Sequence, residues 1–175
     1  MKAQLSRYHN LFILKAFTKR YAMPGVRLGY GITENTELLE KMTEATQPWN
    51  ISVMAQAAGI AALKETEYVE AGREIIFREN PWMKEQMTAL GLKAFPSKAN
   101  YIFFKGPAGL YEATLEQKVI IRNCGNYPGL KEGFYRVAVR THEENEILIK
   151  ALKAALLQIA ENSGKKNLEG EQKNG

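Results

Sequence analysis

The sequence predicts a mixed α/β chain in which a strand pair and three helices precede an α+β unit, a small mixed or antiparallel sheet covered by helices. Three observations lead to this prediction. Short apolar runs bounded by Gly and Pro indicate strands, apolar residues at helical spacing indicate helices, and the second half alternates strand, helix and strand. The 175 residues, 45% of them hydrophobic, suit one or two compact domains.

The first predicted elements are two short strands. The apolar run at residues 11–16 (LFILKA) is continuous rather than alternating, which is typical of a strand buried on both faces. After a Pro24-Gly25 turn, residues 26–32 (VRLGYGI) indicate a second strand. Its glycines require either a close approach of backbone or a sharp turn.

Three helices are expected next. Asn35 or Thr36 is the candidate N-cap of the first, and Ser52 of the second, because their side chains accept hydrogen bonds from free N–H groups. The expected ranges are 36–45, 53–63 and 66–90. Pro81 is expected to kink or split the third helix, since proline lacks the N–H that the ladder needs.

The second half is predicted to form the small sheet and its covering helices. Strands are expected at residues 100–105, 119–122 and 135–139, and a short helix at 110–117. Thr141 and Glu144 have the spacing of a capping box, so a last helix is expected from His142 to about Ala160. Residues 161–175 lack apolar patterning and are predicted to be disordered.

Composition excludes several classes of function. No run of Lys and Arg accompanies the net charge of +5, so small phosphate-bearing molecules are expected as partners and nucleic acid is not. No segment is apolar enough for a membrane span, and no signal peptide is expected. The single Cys124 excludes an internal disulfide framework, and with only His9 and His142 no metal site is expected. These features predict a cytoplasmic protein.

The sharpest motif is Thr18-Lys19, followed by Arg27 within residues 25–30 (GVRLGY). It resembles the lysine segment of fold-type I pyridoxal-phosphate enzymes, S-x-[ST]-K and then G-x-R-x-G-[YF], with Ala16 at the usual Ser position. The resemblance implies that Lys19 holds pyridoxal 5′-phosphate as a Schiff base and that Arg27 binds its phosphate, with Thr18 as a further donor. The residue types suit these roles, because a desolvated lysine becomes nucleophilic and a guanidinium grips a phosphate through two hydrogen bonds.

Further segments resemble the histidinol-phosphate aminotransferase and threonine-phosphate decarboxylase branch of that family. They are residues 47–52 (QPWNIS), 97–102 (SKANYI), 119–124 (VIIRNC), 135–140 (YRVAVR) and 144–145 (EN). The resemblance implies that Arg136 binds the substrate carboxylate and that Arg122 reaches its phosphate or carboxylate. Asn100 is a candidate substrate-site residue that caps or orients a carboxylate-binding loop; the alternative is a buried residue at the edge of the strand. Surface ion pairs with glutamates remain the alternative for both arginines.

The resemblance also implies a domain organisation. Residues 1–66 would be the C-terminal remnant of the large cofactor-binding domain and residues 67–160 the small domain, so the chain is expected to be the C-terminal half of an enzyme. The loop at residues 123–130 (NCGNYPGL) is more like that of the threonine-phosphate decarboxylases of cobalamin biosynthesis.

The implied reaction converts L-threonine O-3-phosphate to (R)-1-aminopropan-2-ol phosphate and CO₂, and little turnover is expected from the isolated chain. The resemblance further implies a homodimer. Two alternatives remain, an aminotransferase of the histidinol-phosphate type and a non-catalytic module used for binding or dimer contacts.

Overall fold

The computed structural model describes the backbone of residues 2–172 and the side chains of residues 4–164. Its contacts divide the chain into a first unit up to Ala71 and a second unit from Gly72, whereas the sequence predicted a boundary between residues 66 and 67. Both units combine helices with a small antiparallel sheet, so the predicted mixed α/β class is confirmed.

The first unit contains a short strand pair and small helices. Its elements are α1 (Lys2–Leu5), β1 (Ile13–Ala16), α2 (Phe17–Arg20), β2 (Gly29–Ile32), α3 (Thr36–Ala45), α4 (Val53–Ala62) and the start of α5 (Thr66–Ala89). The strands pair antiparallel, with Ile13 opposite Ile32 and Ala16 opposite Gly29.

The prediction that the first strand is buried on both faces is wrong for this structure. Leu14 is 79% exposed, because in the described part of the chain β1 has only β2 beside it. The second strand also starts later than predicted. Arg27 has a φ of 56°, a left-handed conformation that does not belong to a β-strand.

Both predicted N-caps in the first unit are confirmed. The Asn35 side chain accepts a hydrogen bond from the Leu38 N–H at 3.0 Å, and the Ser52 hydroxyl accepts one from the Ala55 N–H at 3.1 Å. Each cap satisfies an N–H group that the first turn of its helix leaves free. Pro81 does not split α5, which runs unbroken from Thr66 to Ala89.

The second unit places a four-stranded sheet against helices. Its elements after α5 are β3 (Lys93–Ala94), β4 (Tyr101–Lys105), α6 (Leu110–Glu116), β5 (Arg122–Asn123), β6 (Phe134–Ala138) and α7 (His142–Gln172). The strand order is β3-β4-β6-β5, and every neighbouring pair is antiparallel. Strands β4 and β5 therefore run parallel on either side of β6, with α6 in the connection between them.

One face of this sheet carries the core. Alternate residues of β4 and β6 are buried, as expected for a strand with one covered face, and helices α5, α6 and α7 supply the other side. The central cluster includes Met83, Met87, Ile102, Phe104, Leu110, Tyr135, Val137, Leu148, Leu152 and Ala155. The opposite face holds the other half of each strand and is available for binding.

Two details of the second unit differ from the predictions. Strand β3 was not predicted, because its two residues are too few for any period. The strand predicted at residues 119–122 pairs only at Arg122 and Asn123, since Lys118 has a φ of 60° and the Val119 N–H still bonds back to Thr114 in α6.

The last helix is longer than predicted. The capping box is confirmed, with the Thr141 N–H bonding to Glu144 and the Glu144 N–H to the Thr141 hydroxyl, each at 3.4 Å. The predicted disordered tail is instead helical as far as Gln172, because no proline interrupts the hydrogen-bond ladder. Residues 173–175 of that tail lie outside the described residues. Within residues 2–172, no helix has both the length and the apolar composition needed to cross a bilayer.

Candidate functional site

Lys19 lies in a single helical turn that is anchored at its first residue. Helix α2 follows β1 directly, and its first side chain, Phe17, is 3% exposed. The Phe17 ring stacks on Tyr21 at 5.0 Å and meets the edge of Tyr30 at 5.9 Å. Thr18 is half-buried and Lys19 is exposed, so the turn has a fixed apolar base and presents its amine outward.

Arg27 is held at the same end of the strand pair. The Phe17 N–H donates to the Leu28 carbonyl at 3.1 Å, which ties the start of α2 to the residue after Arg27. The left-handed backbone at Arg27 ends the extended strand, and its guanidinium donates to the Pro24 carbonyl at 3.1 Å. The segments that carry Lys19 and Arg27 therefore leave the same end of the β1–β2 pair.

These three residues fit a phosphate-bearing aldehyde such as pyridoxal 5′-phosphate. An exposed amine, a hydroxyl and an exposed guanidinium share one end of the hairpin, and in the described part of the chain the Arg27 guanidinium has no carboxylate within ion-pair distance. Lysine supplies the covalent attachment and arginine the bidentate grip on phosphate. The donor set is therefore compatible with the predicted cofactor.

The second unit brings Arg122 and Arg136 together. They are direct partners in the register of β5 with β6, so their side chains leave the same face of the sheet. The Arg122 guanidinium donates to Asn126 Oδ1 at 3.2 Å, and that of Arg136 lies over the Tyr101 ring. The alternative role, a surface ion pair with a glutamate, is not found, because no carboxylate among the described residues lies within 4.0 Å of either guanidinium. Two unneutralised cations on one sheet face can bind an anion.

An open cleft of about 710 Å³ adjoins Arg136. We call it the Arg136 cleft; its lining includes Phe95, Ser97, Lys98, Tyr101, Cys124, Tyr127 and Arg136. Arg122 lines a neighbouring depression of about 460 Å³ that also contains Asn126 and Glu132. Lys98 is a further exposed cation in the cleft that sequence reasoning missed, because its spacing follows no binding pattern.

Asn100 is not among the residues that line either cavity. Its backbone carbonyl accepts a hydrogen bond from the Val139 N–H at 2.9 Å, and the residue is exposed. Cys124 is buried, with Sγ 3.7 Å from the Arg122 carbonyl oxygen, so it is a packed residue.

Sequence reasoning also missed a buried polar network in the second unit. Glu79, only 2% exposed, accepts hydrogen bonds from Arg78 Nε at 2.9 Å and Asn145 Nδ2 at 3.2 Å, and it contacts His142 Nδ1 at 3.0 Å. Burial alone raises the pKa of Glu79, but the hydrogen bonds from these three residues and the His142 charge lower it to about 2. Glu79 thus remains ionised at ordinary pH.

This network holds the chain just after β6. Asn145 donates to the Arg140 carbonyl at 2.9 Å and accepts from the Arg140 N–H at 3.0 Å. His142, expected at the surface, is partly exposed but bonded to Glu79. The signal in the sequence is a glutamate at helical spacing from Ile76 and Met83, on the apolar side of α5.

Comparison with known proteins agrees with the sequence prediction. Residues 2–152 match the family described as Aminotransferase class I and II. The threonine-phosphate decarboxylase of Salmonella typhimurium is 33% identical over 155 residues, which cover 86% of this chain and 43% of that protein. The histidinol-phosphate aminotransferase of Symbiobacterium thermophilum is 37% identical over 158 residues, covering 89% and 43%.

A solved structure has the same fold. The histidinol-phosphate aminotransferase of Clostridium acetobutylicum superimposes with a TM-score of 0.85 at 34% identity, covering 90% of this chain and 49% of that one. The chain therefore spans less than half the length of these relatives. Pyridoxal 5′-phosphate is the cofactor of this family, in agreement with the prediction from the lysine segment. The match over most of its residues establishes that the chain belongs to the aminotransferase class I and II family.

Proposed function

We propose that the chain is the C-terminal part of a pyridoxal-phosphate-dependent decarboxylase that acts on L-threonine O-3-phosphate. The observation that carries the proposal is the facing pair Arg122 and Arg136, two cations without a carboxylate partner among the described residues. Threonine phosphate carries a carboxylate and a phosphate on one small molecule. Two adjacent guanidiniums match this pair of anions.

The residues of the first unit would hold the cofactor. Arg27 and Thr18 would donate hydrogen bonds to its phosphate, and Lys19 Nζ would be the point of covalent attachment. When bound, the cofactor supplies an electron sink for the bond that breaks at the substrate Cα. Lys19 Nζ would return a proton to Cα.

The residues of the second unit would orient the substrate. Arg136 would grip the carboxylate and Arg122 the phosphate, while Asn100 is proposed to orient the adjoining loop at residues 97–99, which lines the Arg136 cleft. The bond from Cα to the carboxylate breaks and CO₂ leaves. A proton takes its place on Cα, so one proton is consumed for each (R)-1-aminopropan-2-ol phosphate formed, a step of cobalamin biosynthesis.

The cofactor assignment is tested by reductive labelling of the chain. The protein is incubated with pyridoxal 5′-phosphate, reduced with borohydride and digested, and the modified peptide is mapped. We expect the label on Lys19 and its loss in Lys19→Ala, while Lys15→Arg, which changes a nearby lysine of β1, keeps it. Labelling of Lys15 or Lys41 in preference to Lys19 would contradict the assignment.

An aminotransferase of the histidinol-phosphate type is the second candidate, because enzymes of that name match this chain in both sequence and fold. In it, Lys19 Nζ would move a proton between the substrate and the cofactor instead of replacing CO₂. The full-length polypeptide is incubated with threonine phosphate, and CO₂ is measured. Absence of CO₂, together with consumption of 2-oxoglutarate in the presence of histidinol phosphate, favours the aminotransferase.

A non-catalytic module remains the third candidate, supported by the separate core of the second unit. Little or no turnover is expected from the isolated chain, whether it is part of an enzyme or a non-catalytic module. The labelling of Lys19 therefore decides between these two candidates. The proposal also includes a cytoplasmic homodimer, as the family resemblance implies. Sedimentation of the full-length protein as a monomer would contradict the dimer.

A further inference from the structure

The facing arginines of the second unit raise an electrostatic problem. Arg122 and Arg136 are opposite each other in the antiparallel β5–β6 pair, where like charges repel and destabilise the sheet. Among the described residues no carboxylate lies within 4.0 Å of either guanidinium. The described residues that position the two guanidiniums are therefore not carboxylates.

Each guanidinium lies over the ring of a tyrosine. Arg136 Cζ is 4.8 Å from the centroid of Tyr101, and Arg122 Cζ is 5.7 Å from that of Tyr127. The negative face of an aromatic ring attracts a guanidinium at such distances. Both rings are partly exposed, with Tyr101 at 38% and Tyr127 at 43%, so each pair lies at the surface.

The two rings come from different segments, and both line the Arg136 cleft. Tyr101 is on β4 opposite Ala138, so it is the diagonal neighbour of Arg136 on the side of β6 away from β5. Tyr127 lies in the loop that follows β5, beside Asn126, which also accepts a hydrogen bond from Arg122. Each guanidinium thus has a ring of its own beside it.

An aromatic ring and a carboxylate each stabilise the charge of a guanidinium, but they contact different parts of that group. A carboxylate occupies the N–H edge, which is the edge that grips a carboxylate or phosphate of a ligand. Stacking on a ring uses the flat face of the guanidinium and leaves that edge available. A site that must bind anions reversibly gains from this arrangement, because no internal anion has to be displaced.

We propose that Tyr101 and Tyr127 are positioning residues that hold Arg136 and Arg122 ready for the two anionic groups of a phosphorylated amino acid. The inference rests on the proposed function, in which the two arginines bind the substrate. Tyr101 has the larger role, because its ring is closer and Arg136 lines the main cleft.

The test is a titration of the 175-residue chain with inorganic phosphate, followed by NMR of the arginine Nε–Hε groups. Removal of the ring in Tyr101→Leu is expected to weaken phosphate binding by about three- to tenfold, the range expected for a partly exposed cation–π contact. Tyr101→Phe retains the ring and is expected to bind within about twofold of the unchanged protein. Tyr127→Leu is expected to weaken binding less than Tyr101→Leu.

Two controls separate positioning from folding. Tyr68→Leu removes a 54% exposed tyrosine of the first unit and is expected to leave the titration unchanged. Without phosphate, the Arg136 Nε–Hε resonance carries a ring-current shift that is lost in Tyr101→Leu and kept in Tyr101→Phe. Resonances of the core residues Val137 and Leu152 report whether each variant remains folded.

The outcomes distinguish the two proposals. If the unchanged protein shows no saturable phosphate shift at Arg136 and Arg122, the anion site itself is wrong, and this inference fails with it. If phosphate binds and Arg136→Ala abolishes binding, while Tyr101→Leu binds as tightly as the unchanged protein, only the positioning role is overturned. Weak binding by both Tyr101→Leu and Tyr101→Phe also overturns it, because the ring would then not be the active feature.

Discussion

In the second unit Phe104, Tyr135 and Leu152 are completely buried, whereas in the first unit Leu14 is 79% and Trp49 is 96% exposed. These large apolar side chains are therefore buried in the second unit and exposed to water in the first. In the second unit, helices cover one face of a four-stranded sheet and exclude water from it. In the first unit, a two-stranded pair and short helices leave large apolar side chains in water.

This contrast indicates where stability lies. Burial of a large apolar side chain contributes about 1.5–3 kcal/mol, so a unit with many such residues has a stable core of its own. A two-stranded pair is marginal in water without further strands or a covering helix. We therefore expect substitutions in the second unit to change the free energy of unfolding much more than comparable substitutions in the first.

The largest effect is expected from Phe104→Ala. The side chain is fully buried on β4, so its removal leaves a cavity and lowers the free energy of unfolding by about 3–5 kcal/mol. Urea unfolding is followed by far-ultraviolet circular dichroism, which reports the helices of both units. Leu14→Ala is the control from the first unit. An equal decrease in the free energy of unfolding for the two variants would contradict the expected difference between the units.

A smaller loss is expected from Glu79→Gln, which weakens the network between α5 and α7. Buried hydrogen-bond donors that are left partly unsatisfied lower the free energy of unfolding by about 1–3 kcal/mol, and this loss is measured as a lower urea midpoint. Glu85→Gln, on an exposed position of the same helix, is the control and is expected to leave the midpoint unchanged. A midpoint for Glu79→Gln equal to that of Glu85→Gln would mean that the network does not stabilise the second unit.

The same network predicts a dependence on pH. The pKa of Glu79 is lowered in the folded state to about 2 from an ordinary value of 4.5, so the folded state binds this proton less readily than the unfolded state. The stabilisation is therefore complete above about pH 4.5 and is lost as pH falls toward about 2. Urea midpoints at successive pH values should fall more steeply for the unchanged protein than for Glu79→Gln. Parallel pH profiles would contradict the lowered pKa.

In the first unit, local capping is expected to matter more than burial. Asn35→Ala removes the hydrogen bond to the Leu38 N–H and should destabilise α3 by about 1 kcal/mol. Amide hydrogen exchange of α3 measures this directly. Thr36→Ala, one residue further along, leaves the cap intact and should change exchange little. Equal protection of α3 in both variants would show that the cap does not hold this helix.

The smallest effect is expected from Val53→Thr, which exchanges a methyl group for a hydroxyl at a position 80% exposed. The change in the free energy of unfolding should stay within about 0.5 kcal/mol. Val137→Thr makes the same exchange at a position 6% exposed and should cost about 1–3 kcal/mol. A loss for Val53→Thr as large as that for Val137→Thr would mean that the first unit buries this position in solution.

Features that depend on neighbouring residues were predictable. The caps at Asn35 and Ser52 and the Thr141–Glu144 box follow from short spacings, because each satisfies free N–H groups within one helical turn. The eight-residue interval between Lys19 and Arg27 was also recognisable. A hairpin is local enough to bring the two ends of such an interval together.

Features that depend on pairing between distant segments were not predictable. Strand β3 has no period of its own and exists because Lys93 and Ala94 pair with β4. Leu14 was expected to be buried, because an apolar run indicates a strand that tends to be covered on both faces. The run does not show how many neighbouring strands the fold supplies, and Leu14 is exposed. In the sequence, Glu79 has the features of an ordinary helix residue. Its contacts with His142 and Asn145 of α7 arise only from tertiary packing.

The sequence by itself determined the α/β class, the starts of helices α3 to α7 and the residue types of both candidate sites, because these depend on short-range hydrogen bonds and on side-chain chemistry. The short helices α1 and α2 were not predicted. Only the tertiary structure decided that Arg122 faces Arg136, that each guanidinium lies over a tyrosine ring, and that Asn100 lies outside the Arg136 cleft. The reason is physical. Strand register and ring stacking are selected by the packing of the whole sheet against its helices, and no short segment contains that information.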